Sequence, residues 1–151
     1  MELSSYIHRV LDNLDDKDKV RVLSGLQHDE SGVSRMMRND FKGAATEFQK
    51  ARTSFAGIRT ANGLRGVSTQ NLAAAHLGMG NTARAVELSQ ETISLVSGVP
   101  ELSPTKANAK RVVREAAISG TTSSSPASLG GLFYAFLLLA IAAAGYWIFG
   151  G

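Results

Sequence analysis

The feature that most constrains this chain is an apolar run near its C-terminus. Leu132–Phe149 reads LFYAFLLLAIAAAGYWIF, eighteen residues without a charged side chain. As a helix rising 1.5 Å per residue, the run would be about 27 Å long, close to the roughly 30 Å hydrocarbon core of a bilayer. Tyr134 stands near one end and Trp147 near the other, where the aromatic belts of a span lie. The run therefore predicts a transmembrane helix over residues 132–149, rather than a core helix that a small domain could not cover on all sides.

The charges that precede this run predict its orientation. All 29 acidic and basic side chains lie at or before Glu115, and the last 36 residues carry none. Lys106, Lys110, Arg111 and Arg114 precede the run and no basic residue follows it, so the positive-inside rule keeps the N-terminal part in the cytoplasm. The N-terminal stretch is charged and amphipathic, unlike a signal peptide. We expect a tail-anchored protein, and the lack of basic residues after the run counts against a mitochondrial or peroxisomal membrane.

Residues 119–131, SGTTSSSPASLGG, separate the charged part from the apolar run. This composition cannot bury a core, so it predicts a flexible linker. Small residues, a polar spacer and an apolar tail also resemble a GPI-anchor signal, but that route requires a signal peptide. Within the run, Ala140 and Ala144 form a small-xxx-small pair through which another helix could pack, although an alanine-rich span contains such pairs by chance.

In the charged part, apolar residues recur with the 3.6-residue period of a helix. The first set predicts one helix, and Asp15 or Asp16 can cap a second. Asn39-Asp40 interrupts the pattern before a third helix over Phe41–Phe55. The apolar sets are Leu3, Tyr6, Ile7, Val10, Leu11 and Leu14 in the first helix; Val20, Leu23 and Leu26 in the second; a further set of Val33, Met36 and Met37; and Ala44, Ala45, Phe48, Ala51 and Phe55 in the third.

Glycine and proline mark the remaining boundaries. The glycine-rich stretch AGIRTANGLRGVS, residues 56–68, predicts a loop. Ser103 suits the N-cap of the last helix and Pro104 its first position. We find no alternating strand pattern, so the predicted class is all-α. The further predicted helices are Thr69–Met79, Thr82–Val96 after a turn at Gly80-Asn81, and a last helix that ends near Ile118.

The stretch GMGNTA, Gly78–Ala83, allows two interpretations. It matches G-x-G-x-x-A, the phosphate loop of a dinucleotide-binding domain, which requires a buried strand before its first glycine. The residues before it are NLAAAHL, which favour a helix and include no β-branched residue. The context therefore favours a turn between two antiparallel helices over a catalytic or cofactor-binding loop.

The stretch from Asn71 to Ile93 resembles a tetratricopeptide repeat (TPR), a pair of antiparallel helices that stacks in arrays. Leu72 falls at the leucine position of that family, and Gly80-Asn81 matches its Gly-Asp turn. Ala85 stands where the two helices cross. The sequence departs from the pattern elsewhere: Ala73 replaces a glycine, His76 and Ser89 replace aromatic residues, and Thr92 replaces an alanine.

A second copy of the pattern lies upstream, in NDFKGAATEFQKA. Ala44 falls at the crossing position, Phe48 at the aromatic one, and Gly32 at the glycine of the first helix. Ala44 and Ala85 are 41 residues apart, where a tandem array would give 34. The extra seven residues are accounted for by the glycine-rich stretch. The resemblance covers residues 25–96, with 104–118 as a capping helix, and a small helical bundle is its main competitor.

The resemblance implies a partner-binding groove. In TPR domains the first helix of each repeat lines a concave surface that binds a peptide or a helix. Met36 and Met37 could equally be ordinary core residues. Asn71 matches the family's clamp for chaperone C-termini, but Asp29 and Val33 stand where that clamp has Lys and Asn, which argues against a chaperone tail. By position the groove residues are Asp29, Glu30, Val33, Met36 and Met37; Val67, Gln70, Asn71, Ala74 and Leu77; and Asn108 and Arg111.

Catalytic and metal-binding patterns are lacking in the sequence. It has no cysteine, and His8, His28 and His76 are far apart without metal-ligand spacing. The acidic pairs suit caps and solvated faces, and the serines near residue 124 have no companion base. A net charge of +3 is too small for the dense basic surface of a nucleic-acid binder. We therefore predict a non-enzyme that needs no cofactor or metal and binds no nucleic acid.

These patterns divide the chain into N-terminal helices (1–24), a TPR-like helical domain with its capping helix (25–118), a linker (119–131) and a membrane anchor (132–149). They predict an adaptor that recruits or positions a protein partner at the cytoplasmic face of a membrane. A rival prediction is an accessory subunit of a larger membrane complex, with the span packed against other spans. The two differ in whether the groove or the span carries the function.

Overall fold

The computed structural model describes residues 3–119, and this part of the chain is entirely helical. Its six helices are α1 (Leu3–Asp12), α2 (Asp16–Met37), α3 (Phe41–Phe55), α4 (Asn62–Gly78), α5 (Thr82–Leu95) and α6 (Ser103–Ser119). Short 3-10 turns, Arg59–Ala61 and Pro100–Leu102, precede α4 and α6. The all-α prediction is confirmed for these residues.

The predicted linker and membrane anchor lie outside the described residues, and so do Ala140 and Ala144. Among residues 3–119, no helix combines the length and the apolar character that crossing a membrane requires. The prediction of a transmembrane helix over 132–149 therefore stays a prediction.

Local capping explains where α2 and α3 begin, and a glycine turn precedes α5. The Asp15 carboxylate accepts a hydrogen bond from the backbone N–H of Asp18 at 2.8 Å, and Asp40 accepts one from Gly43 at 2.9 Å. Each carboxylate satisfies a backbone donor that has no partner within its helix. Between α4 and α5, Gly80 adopts a φ of +77°, a backbone conformation that favours glycine. The predicted turn at Gly80-Asn81 is confirmed.

The glycine-rich stretch is mostly helical, which corrects the predicted loop. Helix α4 begins at Asn62, seven residues before the predicted start at Thr69. Its glycines face close neighbours: a Cβ on Gly63 would overlap Tyr6, and one on Gly66 would lie 2.5 Å from Val96. Glycine costs about 1 kcal/mol in a helix, and here packing against α1 and the end of α5 offsets that cost.

The start of α6 also differs from the prediction. Ser103 has helical backbone angles, φ −55° and ψ −37°, rather than the extended angles of an N-cap. The 3-10 turn Pro100–Leu102 leads directly into the helix, with Leu102 buried in the core. Ser103 is therefore inside the helical segment, and the sequence-based assignment of Ser103 as cap was wrong.

The helices stack in the order of the chain. From α2 onward each helix packs on the next, and α2 also contacts α4, as α4 contacts α6. α2 with α3 forms a first hairpin, and α4 with α5 a second. α1 packs across the start of α4 and the turn before α6, where the Tyr6 hydroxyl donates a 3.1 Å hydrogen bond to the backbone carbonyl of Thr60.

An offset of 41 residues relates the two hairpins. Gly25 and Gly66 occupy equivalent positions, and Phe55 and Val96 respectively cover them, each 2.5 Å from where a Cβ would be. Gly32 is covered by the Phe48 ring in the same way. Small residues at three crossing positions, Ala44, Ala73 and Ala85, are fully buried. The three small residues on which the predicted close approach of the helices depends are therefore inside the fold.

Helix α2 turns an unexpected side toward the core. Its buried residues are Val22, Gly25, Gly32, Val33 and Met36, whereas Val20 is 67% and Leu23 41% exposed. The packing face of α2 contains two glycines against which phenylalanine rings pack. Because glycine has no side chain, these positions do not contribute to an apolar periodicity. Of the predicted apolar set, Leu26 packs against the core, whereas Val20 and Leu23 do not.

Candidate partner-binding surface

The predicted groove residues lie on α2, α4 and α6, and we call the surface that these residues contribute the inner surface. The equivalent positions match across the two hairpins: Asp29 corresponds to Gln70, and Glu30 to Asn71. α2 and α4 meet there through a direct hydrogen bond, in which Ser68 Oγ donates to Asp29 Oδ2 at 2.5 Å. The structure therefore joins the α2 and α4 parts of the predicted groove.

Asp29 is the most unusual polar group on this surface. Although the residue keeps some exposed surface, its Oδ1 atom is buried and has no hydrogen-bond partner among the described residues. Burial raises the pKa of the carboxyl to about 7, and the hydrogen bond from Ser68, with a smaller effect of the nearby Asn71 amide, only partly opposes that shift. Near neutral pH this carboxyl is therefore divided between its charged and neutral forms.

Gln70 shows the same feature one hairpin later. Its side chain is 5% exposed, and neither the amide oxygen nor the amide nitrogen has a hydrogen-bond partner among the described residues. Buried polar atoms of this kind cost stability unless a bond satisfies them. Equivalent positions on α2 and α4 thus both carry hydrogen-bonding groups that the described chain leaves incomplete.

Glu30 and Met37 present the most accessible side chains of the predicted groove. Met37 is 51% exposed at the end of α2. Glu30 borders an open hollow of about 480 Å³ on the α2 surface, near the 2.7 Å ion pair between Arg35 and Asp40. The hollow is lined by Glu30, Ser31, Ser34, Arg35, Arg38 and Asp40.

Other predicted groove residues contribute mainly to the core. Val33 and Met36 are buried in the cluster around Phe48, and Gln70 is also inside the fold. Val67, Ala74 and Leu77 are half-buried and pack against the two core clusters. Val33, Met36 and Gln70 therefore offer a partner little side-chain surface, whereas Glu30, Met37 and Asn71 offer more.

On α6, Asn108 and Arg111 bond to each other. Arg111 Nη2 donates to Asn108 Oδ1 at 2.6 Å, and Arg111 Nε lies 3.8 Å from Glu115. Within residues 3–119, no hydrogen bond or ion pair joins this pair to Asp29 or Asn71. The α6 part of the predicted groove is thus adjacent to the rest through helix packing alone.

The histidines form no metal site in the described chain, where no group of three potential ligands comes together. His28 Nδ1 lies 2.7 Å from Glu47 Oε2, and bonds from Lys50 and His28 lower the pKa of that carboxyl. Burial, with a smaller effect of Arg84, lowers the pKa of His76. At Gly78 the preceding element is helix α4, so the strand that a dinucleotide loop requires is not present there.

Sequence reasoning missed Ser68, because the residue fell in the predicted loop. A usable signal exists: Leu64, Ser68, Leu72 and Ala75 follow the helical period and extend it before Thr69. All four are buried in the structure. Extending the periodicity through the glycines would have placed Ser68 on the face of α4 that meets α2.

Comparisons with known proteins identify no relative of this chain. No protein-family model matches it, and no curated protein and no solved structure does so either.

Proposed function

We propose that this protein is a TPR-like adaptor, held at the cytoplasmic face of a membrane by residues 132–149, that recruits or positions a protein partner. The inner surface of α2 and α4 would bind a peptide or a helix of that partner. The adaptor would require no cofactor and carry out no chemistry of its own.

The arrangement of the helix pairs supports the TPR-like part of this proposal. The two hairpins pack in sequence, are related by 41 residues and have fully buried small residues at their crossings, Ala44 and Ala85. Stacked hairpins of this kind bury faces that a single hairpin would leave open. Their first helices then lie side by side, as the contact between Asp29 and Ser68 requires.

One observation carries the binding function. On the inner surface, Asp29 Oδ1 lacks a partner among the described residues while the exposed Met37 lies two turns further along the same helix. Protein interfaces combine an apolar contact with a few polar groups that become satisfied on binding. Met is well suited to such a contact because its side chain adapts its shape to the partner.

The membrane part rests on the sequence. Eighteen uncharged apolar residues suit a single span, and the basic residues lie only before them. Fixing an adaptor to a membrane raises the local concentration of whatever it binds.

The test is to purify the full chain from its native membrane in mild detergent and to identify the proteins that accompany it. Met37→Glu and Asn71→Ala should each reduce capture of a soluble partner. Val20→Glu is the matched control for Met37→Glu, because Val20 is also exposed on α2 but was not predicted to lie in the groove. Capture that survives both inner-surface changes would exclude the inner surface as the binding site.

The accessory-subunit alternative is favoured by the Ala140/Ala144 pair, which would suit packing against another span. It predicts that integral membrane proteins accompany the chain in fixed ratio. They should be lost from a form ending at Ser119 and retained by Met37→Glu. This pattern is the opposite of what the adaptor predicts.

A further inference from the structure

The outward side of α6 carries a stripe of three cations. Lys106, Lys110 and Arg114 follow one another at intervals of four residues, which places them on one face of the helix. Ala109 and Val112 of α6 are buried, whereas Lys110 and Arg114 are exposed and Lys106 is half-buried. None of the three cations forms an ion pair with a described residue, and Glu115, the acidic side chain of this helix, is oriented toward Arg111.

The 41-residue offset relates this face of α6 to a face of α4. Lys106 corresponds to Arg65, and Arg114 corresponds to Ala73. On α4 this face packs against α5: Arg65 lies 3.2 Å from Glu91, and the fully buried Ala73 stands at a helix crossing. On α6 a long charged side chain occupies the position of Ala73, so the face is unsuited to accept a further helix in the same way.

The chain that follows cannot neutralise the stripe. No acidic residue occurs after Glu115, and the last 36 residues carry no charge. The stripe therefore has no ion-pair partner among the described residues. The ion pairs of the described chain already engage Glu47, Glu91 and Glu101 elsewhere.

We propose that the stripe Lys106, Lys110 and Arg114 binds the anionic headgroups of the membrane surface and lays α6 along it. Twelve residues, 120–131, separate the end of α6 at Ser119 from the apolar run. A fully extended chain of that length spans at most roughly 43 Å, so the stripe remains within reach of the bilayer that holds the run. This inference rests on the proposed membrane anchorage and adds a second, lipid-dependent contact.

Such a contact has a recognisable strength and salt dependence. Each Lys or Arg near an anionic surface strengthens attraction by roughly fivefold, and the effect extends about one Debye length, which is about 10 Å at 0.1 M salt. Three cations should therefore give an attraction roughly a hundredfold stronger on anionic than on neutral lipid. The contact should also be weak at 0.5 M salt.

Energy transfer between α6 and the bilayer would measure this contact. The chain has no cysteine, so Ala107→Cys, at an exposed position beside the stripe, accepts a single fluorophore. The labelled full chain is reconstituted in vesicles of phosphatidylcholine, alone or with about a third phosphatidylserine, that carry a headgroup acceptor. We expect higher energy transfer with phosphatidylserine, and loss of the increase at 0.5 M salt.

A charge-matched pair of variants separates the stripe from net charge. K106Q/K110Q/R114Q should abolish the increase. K17Q/K42Q/R59Q removes three exposed cations elsewhere and should retain it, with circular dichroism confirming that both fold. Equal transfer on the two lipids, or equal loss in both variants, would overturn the proposal. Failure of the chain to float with neutral vesicles would instead contradict the anchor, and the same comparison on anionic vesicles would still decide the stripe.

Discussion

The two hairpins have different side chains at equivalent positions between their helices. In the first, Phe48 lies over Gly32 and Phe55 over Gly25. In the second, the equivalents of Phe48 and Gly32 are Ser89 and Ala73, both fully buried. Compared with the first hairpin, the second therefore has a larger residue on its first helix and a smaller residue on its second helix. A sequence search for a fixed aromatic or glycine residue does not match these two positions. The two hairpins thus fill the space between their helices with different pairs of residues.

The second hairpin is also the more polar one. Its buried side chains include Ser68, Thr69, Gln70, Ser89 and Thr92. Thr92 Oγ1 donates within its own helix to the Leu88 carbonyl at 3.0 Å, and a longer contact of 3.4 Å reaches the Gly66 carbonyl of α4. Hydrogen bonds occur in both hairpins, but the first packs phenylalanine rings on glycines where the second buries serine and threonine, so the two should respond differently to equivalent mutations.

The largest expected difference is between Phe48→Ala and Ser89→Ala. Removing a fully buried phenylalanine should lower the free energy of unfolding by about 3–5 kcal/mol. Ser89 Oγ has no hydrogen-bond partner among the described residues, so its removal should change stability by less than about 1 kcal/mol. Urea unfolding followed by circular dichroism measures both. Similar losses in the two variants would contradict the assigned equivalence.

Gly32→Ala should cause the next largest change in the free energy of unfolding. A Cβ there would lie 2.5 Å from the Phe48 ring, so we expect a net loss of roughly 1–3 kcal/mol even though alanine favours a helix. The double variant Gly32→Ala/Phe48→Leu should lose less than the sum of the two single changes, because the smaller side chain makes room. Additive losses in the same unfolding measurement would show that the two residues do not share this space.

The pH dependence should differ at the equivalent positions Asp29 and Gln70. Burial raises the folded-state pKa of Asp29 to about 7, so between about pH 4 and 7 the folded chain retains a proton that the unfolded chain has lost. Stability must then fall as pH rises through this window. Asp29→Asn should remove the fall and be more stable than wild type at pH 8, by roughly 1–3 kcal/mol.

Asp40 supplies a control of opposite sign for this titration. Hydrogen bonds from Gly43 and Arg35 lower its pKa, so its contribution is lost as pH falls below about 4. Asp40→Asn should therefore change stability mainly above that pH and leave the fall between pH 4 and 7 intact. Denaturation midpoints measured from pH 3 to 9 would separate the two, and an unaltered fall in Asp29→Asn would refute the assignment.

The smallest expected effect concerns the ion pairs that join the hairpins. Glu91 on α5 accepts two 2.8 Å bonds from Arg52 of α3 and lies 3.2 Å from Arg65 of α4. Glu91→Gln should cost about 1 kcal/mol, and less at 0.5 M salt. The exposed pair Arg84–Glu87 is the control, so Glu87→Gln should produce no measurable change. A loss that does not depend on salt would indicate a packing role for Glu91.

Much of the local structure followed from periodicity and capping. The bounds of α3 and the turn before α5 were predicted because apolar spacing, Asp40 and Gly80 act over a few residues. The start of α4 was not predicted, because Gly63 and Gly66 disfavour a helix locally. These glycines pack against Tyr6 and Val96, which are distant in sequence. Of the candidate site, the groove positions on α2 and α4 were named in advance. The bond that joins the two helices, from Ser68 to Asp29, was not.

By itself the sequence determined the helical class, the spacing of the two helix pairs and the separation of a charged part from an uncharged apolar one. These properties depend on residue order alone, through periodicity and charge. The tertiary structure decided which side of α2 is buried, how far α4 extends, and that one carboxylate oxygen of Asp29 is buried without a partner among the described residues. Each of these depends on a neighbour far away in the chain, because burial and hydrogen bonding are properties of the folded assembly of helices.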